Sequence, residues 1–125
     1  MKLPNPSEFS EQCNFVDWLE LQNLKFTSIP NSTWTTSIKQ KVNNKKSGLR
    51  AGLPDLLIII PKEKSKIPRA GLLFVEMKKV GTYKSALKQH QLDWIDSLNE
   101  IDNVEAKICY GYDDAVEFVL EFLVQ

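Results

Sequence analysis

Pro54-Asp55-Leu56-Leu57-Ile58-Ile59-Ile60, followed after a basic connection by Leu72-Leu73-Phe74-Val75-Glu76-Met77-Lys78, reads as two buried strands joined as a hairpin. The strands are expected over Asp55 to Ile60 and Leu72 to Lys79, with Pro61 to Gly71 as the basic tip between them. Each carries charge at one end. Desolvating an unpaired charge costs several kcal/mol, so charges beside a strand core need a reason. Side chains two apart on a strand share a face, which sets Glu76 and Lys78 side by side, ~7 Å apart. The hairpin brings Asp55, at the start of its strand, level with the end of the second strand. Asp55 and Glu76 can then share one cation, with Lys78 beside it. All the donors are oxygens, which suits Mg²⁺, with Mn²⁺ able to substitute. That is the chemistry of phosphodiester hydrolysis: a cation to polarise the phosphate, and a lysine to align water and offset developing charge. His90 is the only histidine, which removes histidine-rich metal sites and a histidine-based nuclease mechanism.

Outward from the hairpin, the other elements follow from capping and periodicity. Asn5 is expected as an N-cap, with Pro6 at the first helical position and Glu8 at the third position of a capping box. The helix should run to about Gln22, with one apolar stripe through Phe9, Cys13, Val16 and Leu21 and another through Phe15, Trp18 and Leu19. Asn23 stops it. Lys25 to Ile29 alternates as a short strand ended by Pro30-Asn31. A helix is expected over Thr33 to Lys45, then a turn segment, Gly48-Leu49-Arg50-Ala51-Gly52-Leu53-Pro54. Ser85 to Asn99 is a helix with Leu87, Gln91, Trp94, Ile95 and Leu98 on one face. Gln91 interrupts that apolar stripe, where a glutamine needs a buried partner. Ala106 to Tyr110 is a strand. Asp113 caps a last helix whose inner face holds Ala115, Val116, Val119, Leu120 and Leu123. The order is α–β–α–β–β–α–β–α. It predicts an α/β fold in one domain over residues 1–125, with a sheet covered on both faces.

The formal net charge is zero, but it is unevenly spread. Residues 39–88 hold thirteen Lys or Arg against three acids, a balance of +10; residues 89–125 hold nine acids against Lys107, a balance of −8. A basic middle can bind a polyanion even in a neutral chain. No apolar stretch approaches the ~20 residues that span a membrane. Met1-Lys2-Leu3-Pro4-Asn5-Pro6 lacks the apolar core of a signal peptide. Cys13 and Cys109 are far apart, with neither a CxxC pair nor a cysteine–histidine cluster, which speaks against a disulfide framework, a structural zinc or an iron–sulfur cluster. A reducing, cytoplasmic compartment is expected, the host-cell cytoplasm for a viral chain.

Gly48-Leu49-Arg50-Ala51-Gly52-Leu53-Pro54-Asp55-Leu56, then Glu76-Met77-Lys78, then Gln91-Leu92-Asp93-Trp94-Ile95 resembles the VRR-Nuc branch of the PD-(D/E)xK nuclease superfamily. Ser7-Glu8 with Gln12 and Trp18, Ile29-Pro30-Asn31, and Tyr110-Gly111-Tyr112-Asp113-Asp114-Ala115 extend the resemblance, in order, over nearly the whole chain. A bare PD…ExK pattern recurs by chance. The Gly-x-x-x-Gly-x-Pro-Asp context and Gln91 make this one specific. The resemblance implies a restriction-endonuclease-like core, a mixed central sheet flanked by helices on both faces. It also implies Asp55, Glu76 and the Met77 carbonyl as metal ligands, Lys78 as catalytic lysine and Gln91 facing the site. Glu8 would approach the metal from the first helix, sometimes through water, with Glu11 as the fallback. The chain departs from the pattern in the long polar insert 32–47 and the basic tip 61–70.

The reading that follows is a Mg²⁺-dependent DNA endonuclease. Lys39, Lys41, Lys45, Lys46 and Arg50 are the candidate phosphate contacts, with little base readout because no recognition helix is evident. Compact members of this branch resemble nucleases of branched DNA, some of them four-way-junction resolvases. Cutting two strands symmetrically requires two sites, hence a homodimer, to which Trp34 could contribute. The competing readings are a non-catalytic nucleic-acid-binding module of the same fold and a purely structural interaction protein.

Overall fold

The computed structural model describes residues 3–30 and 37–124. Four strands form one mixed sheet in the order β1-β2-β3-β4: β1 (Lys25–Ser28), β2 (Leu56–Ile60), β3 (Gly71–Lys78) and β4 (Val104–Tyr110). The first three are antiparallel, and β4 runs parallel to β3. The helices are α1 (Glu8–Leu21), α2 (Ile38–Lys46), α3 (Gln89–Asn99) and α4 (Tyr112–Leu120). The expected order of elements is found, and the expected hairpin is β2–β3.

Alternation along the strands divides the sheet into two faces. Leu56, Ile58 and Ile60 of β2 join Leu73, Val75 and Met77 of β3 and Cys109 of β4 on the first face. They pack against Phe15 and Leu19 of α1 and Ala115, Phe118 and Val119 of α4. The second face carries Leu57, Ile59, Phe74, Glu76 and Lys78. Phe74 and Ala106 are buried there, and α3 packs against β4 on that side. Coverage is therefore unequal. Leu57, Ile59 and Leu72 keep partial exposure, and no residue of α3 is fully buried.

Several helix boundaries differ from expectation, each for a local reason. Ser7, not Asn5, caps α1: its hydroxyl accepts from the Ser10 amide at 3.1 Å. Glu8 is the first helical residue, so no capping box involves it. Asn5 instead donates to the Val80 carbonyl at 2.9 Å. The stripe of Phe9, Cys13 and Leu21 faces solvent, because Phe15 and Leu19 take the sheet side. Asn23 does stop α1, at φ 56°, the left-handed position that follows many helix ends. Helix α2 begins at Ile38 behind the Ser37 cap. Positions 33–36 of the expected helix, Asn31 and Trp34 lie outside the described residues. The helix α3 starts at Gln89 rather than Ser85, since Leu87 and Lys88 are extended after a short 3-10 turn at Lys84–Ala86. Gly111, not Asp113, precedes α4, and its φ of 91° turns β4 directly into the helix. Among the described residues, no helix is long and apolar enough to cross a membrane.

Candidate metal centre

The β2–β3 register pairs Leu56 with Val75, which puts Asp55 opposite Glu76 and Pro54 opposite Met77. Strand residues whose N–H and C=O point towards a neighbour normally exchange both bonds with it. Met77 points towards the β2 side, but Pro54 has no N–H to offer its carbonyl. The Asp55 carboxylate replaces the missing rung: its Oδ2 accepts the Met77 amide at 2.9 Å. Proline thus ends the ladder, leaves the Met77 carbonyl on the open side, and fixes Asp55 beside it. The Asp55 carbonyl meanwhile accepts from Ile29 at 2.7 Å, tying the turn to the end of β1.

Glu76 is 3 % exposed. Its Oε1 accepts the Gln91 side-chain amide at 3.0 Å and lies 3.6 Å from the Lys78 ammonium. Its Oε2 is buried with no partner, and so is Gln91 Oε1. Burial first, then the Asp55 carboxylate, push the Glu76 pKa up to about 7, with Lys78 pulling the other way. Burial also raises Asp55, against the Met77 hydrogen bond and Lys78. Glu8 is raised by burial and by the Asp55 charge, and its own charge acts on Glu76.

The fold therefore brings together Asp55, Glu76, Met77, Lys78 and Gln91, with Glu8 in electrostatic range. Among the described residues no three His, Cys, Asp or Glu side chains are grouped to hold one ion, and Glu8 interacts electrostatically with both Asp55 and Glu76. Two carboxylates and a carbonyl still fit Mg²⁺, which keeps several waters and takes only one or two carboxylates from a protein. The orphaned Glu76 Oε2 is the observation that tests the fit, because a buried carboxylate oxygen without a donor is what a cation would satisfy.

Glu11 is committed elsewhere. It is buried, and its Oε2 accepts the Tyr112 amide at 2.7 Å at the start of α4, where helix N–H groups lack intrahelical partners. The structure thus removes the fallback to Glu11. The cationic candidates split in the same way. Lys39, Lys41, Lys45 and Lys46 are exposed on α2, none of whose residues is buried. Arg50 is exposed but folds back, donating to the Lys45 and Leu49 carbonyls at 3.0 and 2.9 Å as a cap for α2.

One contact was not legible in the residues alone. The turn before Asp55 is docked on α3. Trp94 donates to the Ala51 carbonyl at 3.0 Å, and a Cβ on Gly52 would meet the His90 carbonyl and Trp94 Cδ1, each at 2.7 Å. With φ at 109°, Gly52 is required twice over, for its conformation and for its closeness. The second glycine of the turn segment was the available signal, but its partner helix was not. A cavity of about 310 Å³ lies at the other end of the sheet, lined by Ile60, Leu73 and Phe122 among others, away from these carboxylates.

The family model of the VRR-NUC domain matches residues 3–113. A solved VRR-NUC domain protein is similar at 21% identity and a TM-score of 0.67, covering 95% of this chain and 89% of its own. A solved VRR-NUC domain is similar at 18% identity and a TM-score of 0.59, covering 92% of this chain and 97% of its own. At such identities these two likenesses speak to the fold alone. No curated protein matches the chain.

Proposed function

The chain belongs to the VRR-NUC domain family, a nuclease-type family, and from that premise we propose that it is a Mg²⁺-dependent DNA endonuclease of the PD-(D/E)xK type. The observation that carries the proposal is the buried Glu76 carboxylate, with Oε2 orphaned, beside Asp55 and Lys78. Asp55, Glu76 and the Met77 carbonyl would hold the ion. When bound, it supplies Lewis-acid polarisation of the phosphate and a more acidic water.

The chain's own residues do the rest. The Met77 amide holds the Asp55 carboxylate in one orientation. Gln91 does the same for Glu76, so neither carboxylate has to be ordered when substrate arrives. The Lys78 ammonium lies 3.6 Å from Glu76 Oε1 and within electrostatic reach of Asp55 and Glu8. It would orient the attacking water or offset charge gathering on the phosphoryl oxygens. Glu8 would approach the ion from α1, through water.

DNA is held mainly through its phosphates, by Lys39, Lys41, Lys45 and Lys46 on the unburied face of α2, with Arg50 contributing the donors its capping role leaves over. The preferred substrate is branched DNA, including four-way junctions, cut by a homodimer that supplies one site per strand. The test is a panel of plasmid, linear duplex, flap and four-way-junction DNA, each with Mg²⁺ or EDTA. Cleavage of at least one substrate with Mg²⁺, and of none with EDTA, is expected. No cleavage of any substrate refutes the enzymatic reading.

A further inference from the structure

Between Lys78 and Gln91 the chain carries Lys79, Lys84, Lys88 and His90 and no acid. Both ends of this loop are site residues: it leaves β3 at Lys78 and enters α3 just ahead of Gln91. In its middle, Tyr83 is 81 % exposed, although Leu87 on the same loop is half-buried. A lone exposed aromatic is ordinary. An exposed aromatic between lysines on the rim of a phosphate-processing site is the pattern that binds single-stranded nucleic acid.

The loop backbone is held in place. Asn5 donates to the Val80 carbonyl at 2.9 Å, and Val80 packs so closely on Gly111 that a Cβ there would meet its Cγ2 at 2.6 Å. The Thr82 hydroxyl donates to the Lys79 carbonyl at 2.6 Å, and Gly81 takes φ 91° to close that turn. A 3-10 turn follows, with the Ala86 and Leu87 amides donating to the Tyr83 and Lys84 carbonyls at 3.0 Å. Tyr83 is thus presented from a fixed backbone, so a ligand stacking on its ring has little loop entropy to offset.

We infer that the loop 79–88 is a binding site for an unpaired DNA segment, with Tyr83 stacking on an exposed base and Lys79, Lys84 and Lys88 holding the adjoining phosphates. The inference rests on the nuclease reading and narrows its substrate: the site takes DNA with unpaired bases next to the phosphate that is cut. Base faces are hidden in a continuous duplex, so stacking on Tyr83 selects for strands that have separated. The α2 lysines, with no aromatic among them, serve any phosphate backbone alike.

The test is fluorescence anisotropy in EDTA, where nothing is cut, with a labelled single strand and with the same sequence as a blunt duplex. Tyr83→Ala should weaken single-strand binding about tenfold, the scale of one lost base-stacking contact, and leave duplex binding unchanged. Tyr83→Phe should bind like the parent, since stacking needs no hydroxyl. Equal binding of the single strand by parent and Tyr83→Ala overturns the inference, as does an equal loss for single strand and duplex. In both cases the parent still binds DNA and the nuclease reading stands. A parent that binds neither form also overturns the inference, while the nuclease reading is decided separately by the cleavage panel with Mg²⁺.

Discussion

Glu76 is a buried carboxylate with one oxygen satisfied and the other orphaned. Its folded pKa of about 7 lies above its ordinary 4.5, so between those values the native state holds the proton that the unfolded state releases. The stability tied to this group is complete below about 4.5 and is lost as pH rises through about 7. Asp55 and Glu8 are displaced in the same direction. Metal-free protein should therefore melt several degrees lower at pH 8 than at pH 5 in a thermal scan. Mg²⁺ or Mn²⁺ should raise Tm most at the high end, where the ligands are ionised. Glu76→Gln should flatten the pH dependence and abolish the metal effect. The two acids of α1 separate by the same reasoning. Glu8→Gln should not lower the Tm of metal-free protein, should raise it slightly at pH 8 by removing a charge disfavoured beside Asp55, and should raise the Mg²⁺ concentration needed for cleavage. Glu11→Ala should cost about 1–3 kcal/mol of stability, because it strips a partner from the Tyr112 amide. Asp55, Glu76, Lys78 and Gln91 stood out because they depart from the apolar pattern around them, whereas Met77, itself apolar, entered only through the family resemblance. The sequence could not separate Glu8 from Glu11, because that choice depends on how α4 meets α1.

Among elements, α3 braces the site. It reaches Glu76 through Gln91 and grips the turn before Asp55 through Trp94 and the gap left by Gly52. Gly52→Ala should force α3 and the turn apart, since its Cβ would stand 2.7 Å from a backbone carbonyl at a φ of 109°. The expected result is a loss of about 2 kcal/mol or more in denaturant unfolding, together with weaker metal binding. Element types were readable from apolar runs and turn residues, because strands β2 and β3 carry their burial in their own composition. Boundaries were less readable. Asn5 and Ser7 are both good caps by residue type, and only the tertiary bond from Asn5 to Val80 assigns the role to Ser7. The Phe9 stripe misled because periodicity marks an apolar face without saying which face meets the sheet.

For the whole molecule, the charge count is the telling quantity. The basic segment is not uniformly available: Lys64 caps α1 through the Gln22 and Asn23 carbonyls at 2.9 and 3.0 Å, and Arg50 caps α2. The exposed lysines of α2 remain. Replacing Lys41 and Lys45 with alanine should weaken binding to all DNA sequences alike. Each lost phosphate contact should reduce the slope of log K against log salt by about 0.9. Placing α2 against the rest of the chain was beyond the sequence, since a helix with no buried residue leaves no apolar signature of a partner. The proposed mechanism requires Lys78 to act in chemistry and not in binding. The direct measurement compares parent and Lys78→Ala on one labelled four-way junction in Mg²⁺, with every junction bound. The prediction is a cleavage rate lower by about two orders of magnitude or more, at an affinity within about threefold of the parent. A variant that cuts at the parent rate contradicts the mechanism.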